Sequence, residues 1–419
     1  METAKQIPQD GAIDSTLALM TEGYLFIPNR CKELGTDIFQ TRLLGQKAIC
    51  MVGEEAASLF YDEDKFKRKG AAPKRIQKTL FGEHGVQTLD DAAHKHRKQL
   101  FMQLMSAERL RLLNTYVTEE WKSALDRWQP MKKIVLFEET EKVMLRVACR
   151  WAGVPLKESE LDMRAADISA MIDAFGAAGP RHWRGRTGRD RSEDWIEKLI
   201  KAVRKGKMEA PNGTALQAMS WYKQPSGKRM NVKVAAVEVL NIIRPILAIA
   251  RYITFGAVAL HEHPETREKL ASNRGDYSQW FVQEVRRYYP FGPFTGARVR
   301  KNFNWQGMPF KKGTLALMDL YGTNHHPDLW HQPEEFRPER FRDWKESPFS
   351  FIPQGGGDYG MGHRCAGEWV TIEAMKTSLE FLVKKMDYEV PNQDLSYSLV
   401  RMPSIPKSRF IIQNVRKKS

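Results

Sequence analysis

FIPQGGGDYGMGHRCAGEW, residues 351–369, is the stretch on which the reading of this 419-residue chain turns. It holds a GxGxxG match at Gly355, Gly357 and Gly360. No strand signal leads into it and no Gly-Lys-Ser/Thr follows, so it makes a poor cradle for a dinucleotide or a phosphate. Read around Cys365, it sets Gly362 and Gly367 on either side of a single thiol, with His363 two residues upstream. Glycines at those places let the backbone approach a bulky flat ligand. A helix starting just after the cysteine adds positive potential and favours the thiolate. Cys31, Cys50 and Cys149 lack such surroundings and read as small buried hydrophobes.

Two further pieces belong with the cysteine. QEVRRYYPF places Glu284 and Arg287 at i,i+3 on one helical face. That spacing alone says little, since Glu108/Arg111 and Glu334/Arg337 share it. NHHPDLWHQPEEFRPERF (324–341) then supplies Arg340 in an aromatic, proline-rich stretch. A satisfied Glu–Arg–Arg network would pin that stretch under a cofactor, because such a network is costly to break.

Together, Glu284-x-x-Arg287, Pro338-Glu339-Arg340-Phe341 and Phe351…Gly362-His363-Arg364-Cys365-Ala366-Gly367 resemble the cytochrome P-450 superfamily of haem-thiolate enzymes in order and spacing. The resemblance runs from about residue 20 to the end. It implies one domain over 1–419, mainly α, a triangular helical body with small β-sheets. A b-type haem is expected between the long central helix and the helix after the cysteine loop. Cys365 would be the axial ligand of the iron, an anionic donor that favours O–O cleavage. At the haem propionates the resemblance leads us to expect Arg68, His94, Lys98 and His363. His94 and Lys98 share a helical face at i,i+4. The loop departs from the usual pattern: Gly355–Tyr359 lengthen it, and His363 stands where an arginine is usual.

The remaining pattern suits a mostly helical body. Apolar residues recur at three- and four-residue spacing over 92–128, 133–150, 159–174, 190–206, 232–262, 276–289 and 367–386. Strand-like runs are short: Lys47–Val52, Phe310–Leu320 and Phe410–Val415. Between 290 and 366 crowd Pro, Gly and aromatic residues, which read as ordered loop. PRHWRGRTGRDR (180–191) carries five arginines around one Trp. It reads as a solvated loop between helices, with at most an attraction for an anionic substrate.

The central helix NVKVAAVEVLNIIRPILAIARYITFGAVALHEH (231–263) departs from most of the superfamily, whose helix over the haem carries an acid followed by threonine. No such pair occurs here, and Thr254 follows Arg251, Tyr252 and Ile253. Arg244-Pro245 stands near the centre instead. Proline takes away the backbone bond to the Asn241 carbonyl and kinks the helix. A guanidinium among Ile242, Ile243, Ile246 and Leu247 needs a partner, because a lone buried charge is expensive. An internal carboxylate is the commoner partner; a ligand carboxylate held by two hydrogen bonds is the other.

Arg-Pro without the acid–threonine pair resembles the bacterial fatty-acid peroxygenase branch. That implies hydrogen-peroxide-dependent hydroxylation of long-chain fatty acids at the α or β carbon. The substrate carboxylate on Arg244 would serve as general acid–base, with no obligatory redox partner. LFGEHGVQTLDDAAHKHRKQLF (80–101) resembles the family's distal wall, with Phe81 near substrate and Gln87 where olefin-forming relatives carry His. A neutral amide is no comparable proton donor, which favours hydroxylation over decarboxylation to an alkene. Ordinary core packing for Phe81 and backbone capping for Gln87 are the plain alternatives. Competing functions are the alkene-forming decarboxylase, a redox-partner-dependent monooxygenase, and a non-catalytic haem-thiolate binding or sensor protein.

Composition sets the outer limits. With 66 Lys+Arg against 51 Asp+Glu the formal charge is +15, which permits anionic partners without selecting nucleic acid. Four cysteines without paired spacing support neither a disulfide framework nor a zinc site, and suit a reducing cytoplasm. No apolar run reaches the ~20 residues of a membrane span, and the polar opening METAKQIPQDGAIDS gives no secretory leader to expect. The dyads His261/His263 and His325/His326 are weak metal patterns and are assigned none.

Overall fold

The structure is a computed structural model describing residues 5–272 and 275–418. Its organising element is the central helix, Val232–Glu262, capped by the Asn231 side chain on the Lys233 N–H at 2.8 Å. From Ala235 to Leu260 every residue is buried except Pro245. A helix apolar nearly all round has to be wrapped by others. Leu136–Ala152, Leu161–Asp173, Pro180–Arg204 and Glu368–Glu380 pack against it, and Tyr277–Tyr288 lies beside the last of these.

Among the described residues, ten strands form the minor part: β1 Ile38–Leu43, β2 Gln46–Met51, β3 Phe66–Lys67, β4 Lys133–Val135, β5 Phe294–Val299, β6 Phe303–Trp305, β7 Met308–Phe310, β8 Leu315–Asp319, β9 Met386–Glu389 and β10 Ile411–Lys417. The larger sheet runs β1-β2-β8-β5-β3, with β2 and β8 parallel, Ile49 opposite Ala316, and the other pairs antiparallel. A three-stranded sheet, β4-β10-β9, and the β6-β7 hairpin complete them. The fold is mainly α with small sheets, as the sequence reading expects.

Three local expectations are corrected. The periodic run 92–128 is two helices, Asp91–Leu104 and Ala107–Trp128, because Ser106 caps the second through the Arg109 N–H. The run Phe310–Leu320 is broken by a turn at Lys311–Thr314 that separates β7 from β8. Residues 180–191 are not a loop: Pro180 opens a helix that runs to Arg204. Gly185 and Gly188 allow this helix to pack closely on its neighbour. A Cβ on either would stand 2.3 Å from Ala174 Cβ or 2.5 Å from the Asp167 carbonyl oxygen. The arginines of this segment are engaged as well, Arg189 with the Leu80 carbonyl and Glu193, and Arg191 with Asp167.

Candidate active site

The cysteine loop is built by its own hydrogen bonds. The Cys365 N–H donates to the Gln354 carbonyl at 3.2 Å, and the Gly362 N–H to the Asp358 carbonyl at 3.1 Å. Gly355 and Gly357 hold φ of 89° and 81°, where a side chain would be strained. Most of these glycines serve the loop's packing rather than a ligand: a Cβ on Gly356 would meet the Pro348 carbonyl at 2.5 Å, one on Gly362 the Asp358 carbonyl at 2.6 Å. Gly367 alone lies against the thiol, its Cβ position 3.9 Å from Sγ. Gln354 Nε2 stands 3.8 Å from Sγ and donates to Thr371 at 3.1 Å. Burial pushes the Cys365 thiol up; the Gly367 backbone and Lys98 only oppose it. The expected thiolate bias of the loop is therefore outweighed by burial in the protein alone.

Beneath the loop lies the charge network. Glu284, fully buried, accepts from Arg287 Nε and Nη2 at 2.8 Å each, from Arg340 Nε at 3.1 Å and from the Arg337 N–H at 2.8 Å. Arg340 also donates to the carbonyls of His331, Gln332 and Glu335. Glu108/Arg111 and Glu334/Arg337 form no ion pair among the described residues, so spacing alone did not distinguish them. A second network escaped the sequence reading: Glu368 holds Arg286 and Arg364, tying the helix after the cysteine to the Glu284 helix. Its one visible signal was Arg364 and Glu368 at i,i+4.

Between Cys365 and the central helix is a cavity of about 350 Å³. Arg244, Pro245, Ile246 and Ile249 form one wall, and Pro353, Cys365, Ala366 and Gly367 the other. His94, Lys98 and His363 gather on the lining. The rings of His94 and His363 stack at 3.8 Å, and Lys98 Nζ donates to the Arg364 carbonyl. Burial and neighbouring Lys98 lower His94 to about 4, and burial lowers His363 further. Glu63, His94 and His363 bring ligand atoms within 4.8 Å of one another, a grouping that suits a cation as well. Arg68 lies close by, over the Phe60 ring at 4.3 Å, and donates to the Gly296 carbonyl at 3.1 Å. A thiol on one wall, apolar side chains around it and a buried basic cluster answer the iron, the macrocycle and the carboxylates of a haem.

No Asp or Glu lines this cavity among the described residues. Thr254 takes no part, because its hydroxyl donates to the Ala250 carbonyl at 2.7 Å inside the helix. Arg244 is buried and has no carboxylate partner among the described residues. Nη2 reaches Asn241 Oδ1 at 3.4 Å, and Nε has no partner. Burial, with Arg189 nearby, lowers its pKa to about 9. The internal ion pair, the commoner expectation for a buried arginine, is not what the fold provides. The nearest buried carboxylate on the helix, Glu238, is already engaged by Arg97 at 2.8 Å and by Asn241 Nδ2 at 2.9 Å.

Gln87 lines the cavity, and its Oε1 accepts from Asn241 Nδ2 at 3.2 Å. Phe81 ends the turn Gln77–Phe81, and the Arg244 guanidinium lies 5.9 Å from its ring centre. Glu238, Asn241 and Arg244 form a polar stripe at three-residue steps on a largely apolar helix. That stripe was present in the sequence as a signal, but its partners Arg97 and Gln87 come from far along the chain. Of the histidine dyads, His325 is buried against Tyr321, His326 meets Asp37, and His263 stacks on Phe336.

The comparisons agree with this geometry. A family model described as cytochrome P450 matches residues 265–410. Among solved structures, cytochrome P450EX alpha (CYP152N1) with myristic acid is 45% identical, covering 99% of this chain and 100% of that one with a TM-score of 0.96. A variant of cytochrome P450 OleT in complex with arachidonic acid is 38% identical, covering 99% of each chain, also at 0.96. Cytochrome P450 26A1 of Gallus gallus is 23% identical over 416 residues, 90% of this chain and 83% of its own. With the cysteine loop, the Glu284 network and near-complete overlap at 45% identity, the chain belongs to the cytochrome P450 family and, within it, to the CYP152 group.

Proposed function

We propose that this protein is a peroxygenase, a single-domain enzyme that uses hydrogen peroxide to hydroxylate long-chain fatty acids at the α or β carbon. The observation that carries this is Arg244: a buried guanidinium facing a cavity lined by no carboxylate among the described residues. A missing internal anion beside a retained cation calls for an anion from the ligand. Solved relatives bound to myristic and arachidonic acid support a fatty acid as its source.

In this reading Cys365 holds the iron of a haem b, and Arg68, His94, Lys98 and His363 hold its carboxylates. When bound, that group supplies the one-oxygen oxidant. The chain's own residues do the rest. Arg244 grips the substrate carboxylate through two charge-assisted hydrogen bonds. The carboxylate so fixed takes the proton of hydrogen peroxide and returns it to the departing oxygen, a task for which no Asp or Glu lines the cavity among the described residues. Anchoring the head group limits the reacting positions to the first carbons of the chain. The tail requires an apolar path, each buried CH₂ contributing about 0.8 kcal/mol. Gln87 is a neutral amide already engaged by Asn241, which favours hydroxylation over alkene formation.

The test is a reductase-free assay with C14–C16 fatty acid and hydrogen peroxide, the products resolved by mass spectrometry. Hydroxy acids modified at the α or β carbon are expected. Turnover only with an added redox partner would overturn the peroxide reading.

A further inference from the structure

We propose that the arginine-rich start of the helix Pro180–Arg204, with the turn before Phe81, is a docking surface for an anionic lipid bilayer. Lys74, Arg75 and Lys78 sit on the segment that ends at Phe81, and Arg181, Arg184 and Arg186 on the first two turns of the helix. The two groups form one patch. Arg75 donates to the Ala177 carbonyl, and Arg186 Nη1 to the Lys78 carbonyl at 2.7 Å. Arg75 and Arg186 both lie close enough to His182 to hold its pKa down, together with burial. Of nearby carboxylates, Glu83 meets Lys74 at 3.1 Å and Asp190 meets Arg186 at 3.0 Å, while Asp173, close enough to Arg181 to act on its charge, is already held by Arg251 and Arg401, so the six cations outnumber the carboxylates beside them.

Trp183, 66% exposed, stands between Arg181 and Arg184 at the rim of a cavity that these share with Asp162, Asp167 and Asp173. A tryptophan left in water among arginines is poorly suited to a free surface, and its amphipathic ring is well suited to the headgroup level of a bilayer. Basic side chains at such a surface each strengthen attachment to anionic lipid. The location adds a reason. The turn that carries Lys78 ends in Phe81, beside Arg244, and Arg189 of the same helix holds the Leu80 carbonyl at 3.0 Å. A water-insoluble fatty acid leaving the bilayer here would do so next to the turn whose Phe81 ring faces Arg244 of the cavity wall. Unlike a nucleic-acid surface, the patch offers a single aromatic ring rather than a row of stacking platforms.

The measurement is co-sedimentation of the haem-loaded protein with vesicles of phosphatidylcholine containing 30% phosphatidylglycerol, and with pure phosphatidylcholine. It reads attachment without turnover, so its failure and failure of the fatty-acid reading are distinguishable. Binding to the anionic vesicles only, lost in 0.5 M salt, is expected. Lys78→Gln/Arg184→Gln should weaken it about 30-fold, while turnover of detergent-dispersed fatty acid stays unchanged. Trp183→Ala should weaken it with the salt dependence retained. Equal binding to both vesicles, no binding to either, or undiminished binding by the double variant would overturn the proposal. So would tighter binding to poly(U) than to the anionic vesicles at the same salt.

Discussion

Arg244 Nη2 stands 3.4 Å from Asn241 Oδ1, one helical turn back, and this is the one hydrogen bond of the Arg244 side chain among the described residues. The Asn241 amide has little choice of orientation. Its Nδ2 lies between Glu238 Oε2 at 2.9 Å and Gln87 Oε1 at 3.2 Å, so its oxygen is left for the guanidinium. A polar chain from Arg97 through Glu238 and Asn241 therefore aims Arg244 without neutralising it.

The first prediction concerns pH. Burial lowers Arg244 to about 9, and only its protonated form can hold a carboxylate. Fatty-acid affinity should be level from about pH 6 to 9 and then weaken, approaching tenfold per further unit. Spectral titration of the haem protein with myristate across pH 6–10.5 checks this; a level affinity up to pH 10.5 would contradict it.

Glu284 supports the loop beneath the cysteine. Glu284→Gln removes the only carboxylate paired with Arg287 and Arg340 among the described residues, leaving two buried guanidinium groups without an anion. Breaking a buried pair in this way costs about 3–5 kcal/mol. The expected outcome is a marked fall in urea midpoint together with poor haem retention. A variant with wild-type stability would show that the network contributes little.

Gln87 offers a test of the reaction's outcome. Gln87→His places a titratable donor on the cavity lining without enlarging it. The product mixture should move from hydroxy acid toward terminal alkene, read by mass spectrometry of a peroxide-driven reaction. An unchanged ratio would mean that the residue's role is confined to holding Asn241.

His325 makes the fold acid-sensitive. It is buried, with Nδ1 on the Tyr321 carbonyl at 3.0 Å, and burial lowers its pKa to about 3. Below about pH 6.5 the unfolded chain takes up a proton that the folded chain refuses. Stability should therefore fall with acidification from about 6.5 toward 3, by up to ~1.4 kcal/mol per unit from this group. Unfolding midpoints at pH 7, 6 and 5 should fall less steeply in His325→Gln than in the parent.

Legibility in the sequence followed the range of the interaction. Cys365 and its glycines could be found because they lie within a few residues, whereas Glu284 with Arg287 stood out only beside Arg340 and the cysteine loop, as a joint resemblance. The absence of an acid–threonine pair was equally local. What could not be read was the state of Arg244, because Glu238 is taken by Arg97, a residue 141 positions away. The segment 180–191 was misread as a solvated loop for the same reason: Gly185 and Gly188 answer the approach of the Leu161–Asp173 helix, which no local pattern reveals. The thiol's net bias was likewise set by burial, a property of the whole fold.

The central claim is that Arg244 keeps its charge for a substrate carboxylate. The most direct test compares equilibrium binding of tetradecanoic acid and tetradecanol, equal in tail, to the haem-loaded protein and to Arg244→Gln. Charge-assisted hydrogen bonds of about 1.5–3 kcal/mol predict a preference for the acid of about 10- to 100-fold in the parent and almost none in the variant. A preference for the acid that survives Arg244→Gln, or none in the parent, would contradict the account.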